Sequence, residues 1–207
     1  MIDLRTFVTL DRLQPMTTAM IATGSRGFMP LEDQASLIVE VAPGMSINLV
    51  TDIVLKQTDV VPGAQIVERA FGSLEVHSPD QGMIQAAGDA ILDYYGLTKM
   101  DRLRPRIVSE QIITGIENHQ SILISRLRYG DMIVKDETLY VLECHPAGYA
   151  ALACNEAEKV ADIRIVDLRF FGAFGRLQLV GREEDINQAS AAIKVALAAV
   201  EGRENPG

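Results

Sequence analysis

Glu68 and Arg69 stand side by side in the stretch QIVERAFGSLEV (residues 65–76), between two runs that read as strands. An acid and a base at a hairpin tip can present opposite charges to a partner. Left to themselves on a surface they make a pair worth under about 1 kcal/mol. Glu40 and Glu143 lie inside the apolar runs SLIVEVA and LYVLECH, where a carboxylate is costly unless paired. Each therefore requires an exposed strand face, a structural ion pair or a ligand. Asp52 and Lys56 have the i,i+4 spacing of a helix-surface pair, normally worth about 0.2–0.5 kcal/mol. Cys144 and His145 are neighbours, but adjacent residues of a strand point to opposite faces, which argues against a nucleophile and its base.

No spacing that marks an active site joins these residues. The sequence has no G-x-x-x-x-G-K-[ST], no H-E-x-x-H and no G-x-S-x-G, and GSRGF (residues 24–28) reads only as a turn. Cys144 and Cys154 form no C-x-x-C pattern, and His77, His119 and His145 are scattered, so no metal site is expected. An enzyme using Cys144, Cys154 or Glu143 is the weakest of the functional readings. With no reaction to assign, the elements that would carry these side chains become the better guide.

Those elements repeat. Sliding the chain on itself by 103 residues places Gly27 on Gly130, Met29 on Met132, Glu40 on Glu143, Pro43 on Pro146, Lys56 on Lys159 and Asp59 on Asp162. The same offset pairs Phe71-Gly72 with Phe174-Gly175. Each aliphatic run is followed at once by Pro43 or Pro146, then by a helical stretch ending near Lys56 or Lys159. Lys159 recurs although its i−4 neighbour is Asn155, which hints that the lysine serves a contact beyond its own helix. The helix closing the first half is predicted from Ser78 as N-cap, Pro79 at N1 and Gln81 at N3, with Ile84, Ala87, Ile91 and Tyr94 on one face and Gly96 past its end. Its counterpart carries Glu184 at the N3-equivalent position, with Ile186, Ala189, Ile193 and Leu197 on one face before Gly202. Each half thus reads strand, helix, strand, helix, strand, strand, helix, an α+β unit with helices laid on a mainly antiparallel sheet. Residues 1–105 and 106–207 are the expected domains, with residues 96–106 as connector.

Composition narrows the partners. Of 207 residues, 48% are hydrophobic, enough for a sizeable core in each half. The excess of 28 acids over 19 bases, net −9, argues against a nucleic-acid groove. Arg102, Arg104 and Arg106 form a short basic cluster that reads as a solvated connector. No apolar run reaches the roughly 20 residues that span a bilayer. The first ten residues lack the basic start and apolar centre of a signal peptide, so a cytoplasmic, soluble chain is expected.

The stretches DLRTFVTLDRLQ, VERAFGSLEVH, PRIVSEQII, ETLYVLECHPAGYAALACNEAEKVA and GAFGRLQLVGREEDI together resemble a tandem-domain bacterial microcompartment shell protein. The resemblance is strongest to the circularly permuted, trimer-forming, carboxysome-type branch with a gated pore, and it covers nearly the whole chain. It implies two permuted, ferredoxin-like shell domains and three chains closing into a pseudohexamer that tiles with other shell proteins. It further implies a structural protein, not an enzyme, in a cytoplasmic microcompartment shell.

By that resemblance Glu68 and Arg69 match the acid-base pair lining the central pore, while the offset puts Phe171 and Gly172 in the second half's pore loop. Gly72 and Gly175, with Gly172, would give the loops latitude. Lys56 and Lys159 resemble tile-edge lysines. Three arginines about 10 Å apart would repel by roughly 1.7 kcal/mol per pair, whereas an Arg beside a neighbour's Glu at about 4 Å gains roughly 4 kcal/mol before desolvation. Two arrangements close in free energy would make a gate for small anionic metabolites. Members of the branch can stack two trimers face to face. Some tandem relatives hold an iron-sulfur cluster through cysteine, but the pore-matching positions here have none, so no cofactor is expected. The competing reading is a small-molecule-binding regulatory module of two ferredoxin-like units.

Overall fold

The computed structural model describes residues 2–127 and 130–206. The first half runs β1 (Asp3–Leu10), α1 (Pro15–Gly24), β2 (Ala35–Ala42), α2 (Ile47–Gln57), β3 (Val61–Glu68), β4 (Phe71–Ser78) and α3 (Gln81–Tyr95). The second repeats it as β5 (Arg106–Ile113), α4 (Asn118–Leu127), β6 (Thr138–His145), α5 (Tyr149–Val160), β7 (Arg164–Arg169), β8 (Gly175–Gly181) and α6 (Glu183–Ala198). This is the expected α+β duplication, element for element. Each half is a four-stranded antiparallel sheet, ordered β1-β2-β4-β3 and β5-β6-β8-β7.

Strand alternation decides what covers each face. In the first sheet Leu37, Val39, Leu74 and Val76 are fully buried beneath α2 and α3, where Val50, Val54, Ile84, Ala87 and Ile91 meet them. Each such aliphatic side chain contributes about 1.5–3 kcal/mol relative to exposure. The intervening residue Ile38 faces the other way, into a core that also holds Met20 and Ile21 of α1 and most of the buried apolar side chains of the second half. One core is therefore shared between the two halves.

Helix α3 begins later than the sequence suggests. Ser78 ends β4, and Asp80 is the N-cap, its carboxylate accepting from the Gly82 amide at 2.7 Å. The Ser78 hydroxyl accepts instead from the Asp80 amide, so Ser-Pro-Asp forms a turn before the helix. Gly96 takes the left-handed conformation (φ +63°) that closes the helix. Ile84, Ala87 and Ile91 are buried as the spacing requires, but Tyr94 is exposed. Ile186, Ala189, Ile193 and Leu197 form the buried face of α6.

The basic connector is a clasp, not a solvated link. Arg102 donates to the carbonyls of Phe7 (2.7 Å) and Glu201 (2.8 Å), and Arg104 to that of Gly202 (2.8 Å). Backbone carbonyls of β1 and of the C-terminal segment, rather than acids, use these guanidiniums, which composition alone does not reveal.

Candidate functional site

The β3–β4 hairpin closes with Glu68 paired to Phe71, leaving Arg69 and Ala70 as its tip. Arg69 has φ +55°, a left-handed conformation that costs a non-glycine residue roughly 1–2 kcal/mol. The second hairpin is wider, with residues 170–174 between β7 and β8. There Gly172 occupies the position matching Arg69 and also has positive φ, +99°. Both tips need the same backbone turn; one half supplies glycine, the other keeps a charge there at a cost.

The two tips meet. The Glu68 carboxylate lies 3.1–3.3 Å from where a Cβ on Gly172 would stand. The sequence-predicted residues Glu68, Arg69 and Gly172 are thus brought together across the two halves. Phe171 joins them, packed edge-on against buried Phe170 (centroids 5.6 Å apart), its ring 3.6 Å from where a Cβ on Gly24, at the end of α1, would stand. Among the described residues, neither Glu68 nor Arg69 makes an ion pair within the chain. Their charges are unspent.

Gly72 and Gly175, expected as hinges of the pore loops, sit where neighbouring backbone leaves no room for a side chain. Both lie in strands, and a Cβ at Gly72 would stand 2.1 Å from the Gly44 carbonyl oxygen, one at Gly175 2.3 Å from that of Ala147. The need there is for space beneath the turn that enters α2 or α5, which fixes the loop bases.

Sequence reading missed Arg169, exposed at the end of β7 two residues before Phe171 and directly opposite Arg176 across the ladder. Like charges facing each other repel unless a partner intervenes. Arg176 has one, Glu143 at 2.8 Å, so that glutamate lies in a partly exposed ion pair. Its counterpart Glu40 is fully buried. Arg5 binds it at 2.7 Å, and the Gly148 amide donates to its other oxygen. Burial pushes the Glu40 carboxyl above its ordinary range against the pull of Arg5. Burial likewise pushes the thiols of Cys144 and Cys154 up to about 12, which removes the thiolate a nucleophile needs.

The lysines differ as well. Lys56 binds Asp52 at 2.7 Å on an open helix face, with 73% of its side chain exposed. Lys159 reaches across the halves to Asp11 (3.0 Å) and along its helix to Glu156 (2.7 Å). Beside it Asn155, the counterpart of Asp52, is buried between the Gln14 amide and the Arg12 carbonyl.

Residues 4–101 match the family model described as the CsoS1D N-terminal domain. The chain is 50% identical to carboxysome shell protein CcmP of Synechococcus elongatus over all of its own length and 97% of the relative's. The chain belongs to the CsoS1D/CcmP family of carboxysome shell proteins. To CsoS1D of Hydrogenovibrio crunogenus it is 44% identical, covering 95% of this chain and 97% of that one. Among solved structures, the fused permuted hexameric shell protein MSM0275 of the RMM microcompartment superposes with TM-score 0.94 at 45% identity, covering 97% of this chain and 99% of its own. The double ringed trimeric shell protein MSM0271 of the same microcompartment gives 0.96 at 38%, covering 99% and 100%. The CsoS1D/CcmP fold is therefore a tandem of permuted shell domains.

Proposed function

We propose that three copies of this chain, each divided near residue 105 into two shell domains, close into a disc in a microcompartment shell. Its central opening is lined and gated by Glu68 and Arg69. The observation that carries this reading is a one-sided interface. Within the chain, β1 and α1 of the first half are covered by α5 of the second: Met20 is 5% exposed and Leu152 9%. Their counterparts at the 103-residue offset lie bare, Leu123 on α4 at 61% and Leu49 on α2 at 43%. Each copy thus offers, on opposite flanks, the two halves of the joint it already makes internally. Repeating that joint from copy to copy buries Val108, Ile112, Ile122 and Leu123 against Met45, Leu49 and Leu55 of the next. A head-to-tail contact of this kind closes into a ring when its rotation permits, and three two-domain chains supply six similar edges.

In such a ring the Glu68–Gly172 contact sets the two tips of each copy side by side, and three Arg69 and three Glu68 side chains share one axis. Arg69 of one copy beside Glu68 of another closes the opening; outward rotation returns both charges to water and widens it. Arg69 and Arg169 favour small anionic metabolites. The disc does no chemistry of its own. At its outer edge Lys56, held by Asp52 of its own helix, meets a neighbouring tile, whereas Lys159 first has to leave Asp11 across the halves. The exposed apolar loop Phe28, Met29 and Leu31, echoed by Met132 and Val134, provides a surface through which two discs stack.

The test is passage through reconstituted shells. Replacing Glu68 and Arg69 by alanine is expected to leave discs and shells intact while changing the entry rate of a small anionic substrate for an enclosed enzyme. An unchanged rate removes the gate.

A further inference from the structure

Phe71 and Phe174 occupy matching positions at the bases of the two hairpins, and a chain of side chains joins them. The Arg5 guanidinium carbon lies 3.6 Å above the Phe71 ring centroid. Its Nη2 is 2.8 Å from His145 Nε2, and the His145 ring packs at 6.0 Å on Phe174. We propose that Arg5 and His145 are positioning residues forming a proton-sensitive latch, which ties the two pore loops of one protomer together when His145 is neutral and releases them when it is charged. The inference rests on the gated-pore reading.

Hydrogen-bond chemistry fixes the state of the ring. Arginine only donates and stays charged, so His145 Nε2 must accept from it. The other nitrogen then carries the proton and donates to Asn205 Oδ1 at 3.0 Å. The Asn205 amide nitrogen donates to the carbonyls of Arg104 and His145, which leaves its oxygen for the ring. A proton added at Nε2 would place two donors and two positive charges face to face, because Arg5 is held by buried Glu40 and cannot retreat without stranding that carboxylate.

The surroundings offer little compensation. Burial, then the charge of Arg5, and least that of Arg106 from β5, hold the His145 pKa below the ordinary imidazole range, against the hydrogen bond to Asn205. Glu143, on the same face of β6, is engaged by Arg176 from β8. Glu204, beside Asn205 on the C-terminal segment, is exposed and makes no ion pair among the described residues. The latch is particular to the internal joint. At the 103-residue offset Arg5 becomes Val108 and His145 becomes Ala42, so a joint between copies brings apolar side chains to those places. A ring of three would hold three latched junctions alternating with three unlatched ones.

The experiment follows amide hydrogen exchange in residues 66–75 and 168–178 of the assembled protein between pH 5 and 8, corrected for the intrinsic pH dependence of exchange, beside an NMR titration of the histidine rings. As His145 protonates, exchange in both segments is expected to rise together by about tenfold, the scale of losing one charge-assisted hydrogen bond, with the midpoint of His145. In His145→Gln, which can accept from Arg5 but cannot titrate, it should stay flat. Exchange that ignores the His145 midpoint in the wild type, or that rises equally in the variant, overturns the latch. Loops that respond while shell passage does not would sink the gate and leave the latch standing.

Discussion

Glu158 on α5 caps the helix that begins beside Thr17 on the opposite half. One carboxylate oxygen accepts from both the amide and the hydroxyl of Thr17, each at 2.8 Å, and the other from the Met16 amide at 2.7 Å. Helix α1 has no side-chain cap of its own at Gln14, so its free amides are satisfied across the joint, where the helix dipole also favours an anion. Glu158→Ala is expected to lower stability by about 1–2 kcal/mol in denaturant titrations. Loss near zero would mean that water serves those amides equally well.

At the opposite end of the joint, the counterpart of Glu158 is Leu55, and α4 is capped locally instead, with Glu117 accepting from the amides of His119 and Gln120. In the proposed ring the joint between copies is therefore the more apolar of the two. Leu123→Asp is expected to leave a folded chain, because Leu123 is exposed in the isolated chain, while abolishing assembly by sedimentation. Assembly at wild-type concentration would remove α4 from the contact.

Arg69 pairs a left-handed backbone with a charged side chain. Arg69→Gly is expected to raise stability by about 1 kcal/mol, since glycine accepts φ +55° without cost, while removing the cation from the proposed opening. A destabilised variant would show that the Arg69 side chain makes stabilising contacts in the assembly that outweigh the strain.

The depressed pKa of His145 also sets a pH dependence. The unfolded chain takes up this proton near pH 6.5, the folded chain only lower, so stability is complete above about pH 6.5 and falls as the pH drops toward the folded value. Glu40, raised by burial, acts in the opposite direction in its own range, and comparing the wild type with His145→Gln isolates the histidine. The wild type should lose stability faster than the variant on acidification from pH 7; parallel curves would contradict the assignment.

How much of this was legible before the structure depended on the kind of interaction. The element order, the Gly96 helix end and the twin positions of Phe71 and Phe174 follow from spacing, which is local. Glu40 and Glu143 looked alike in sequence but part ways because Arg5 comes from β1 and Arg176 from β8, and only three-dimensional pairing assigns those partners. Gly72 and Gly175 read as loop freedom because a glycine looks the same in sequence whether the need is torsional or spatial; the carbonyls 2.1–2.3 Å from a would-be Cβ show a spatial need at both. Arg169 escaped notice because no twin marked it. The latch was hidden for the same reason, its members lying 140 residues apart.

The most direct test of the account is a reconstruction of the assembled particle at side-chain resolution. Three chains in a ring, with α2 of each seated on β5 and α4 of the next and with Glu68 and Arg69 nearest the axis, is the predicted result. Isolated chains, or a ring with those two residues on its rim, would contradict it.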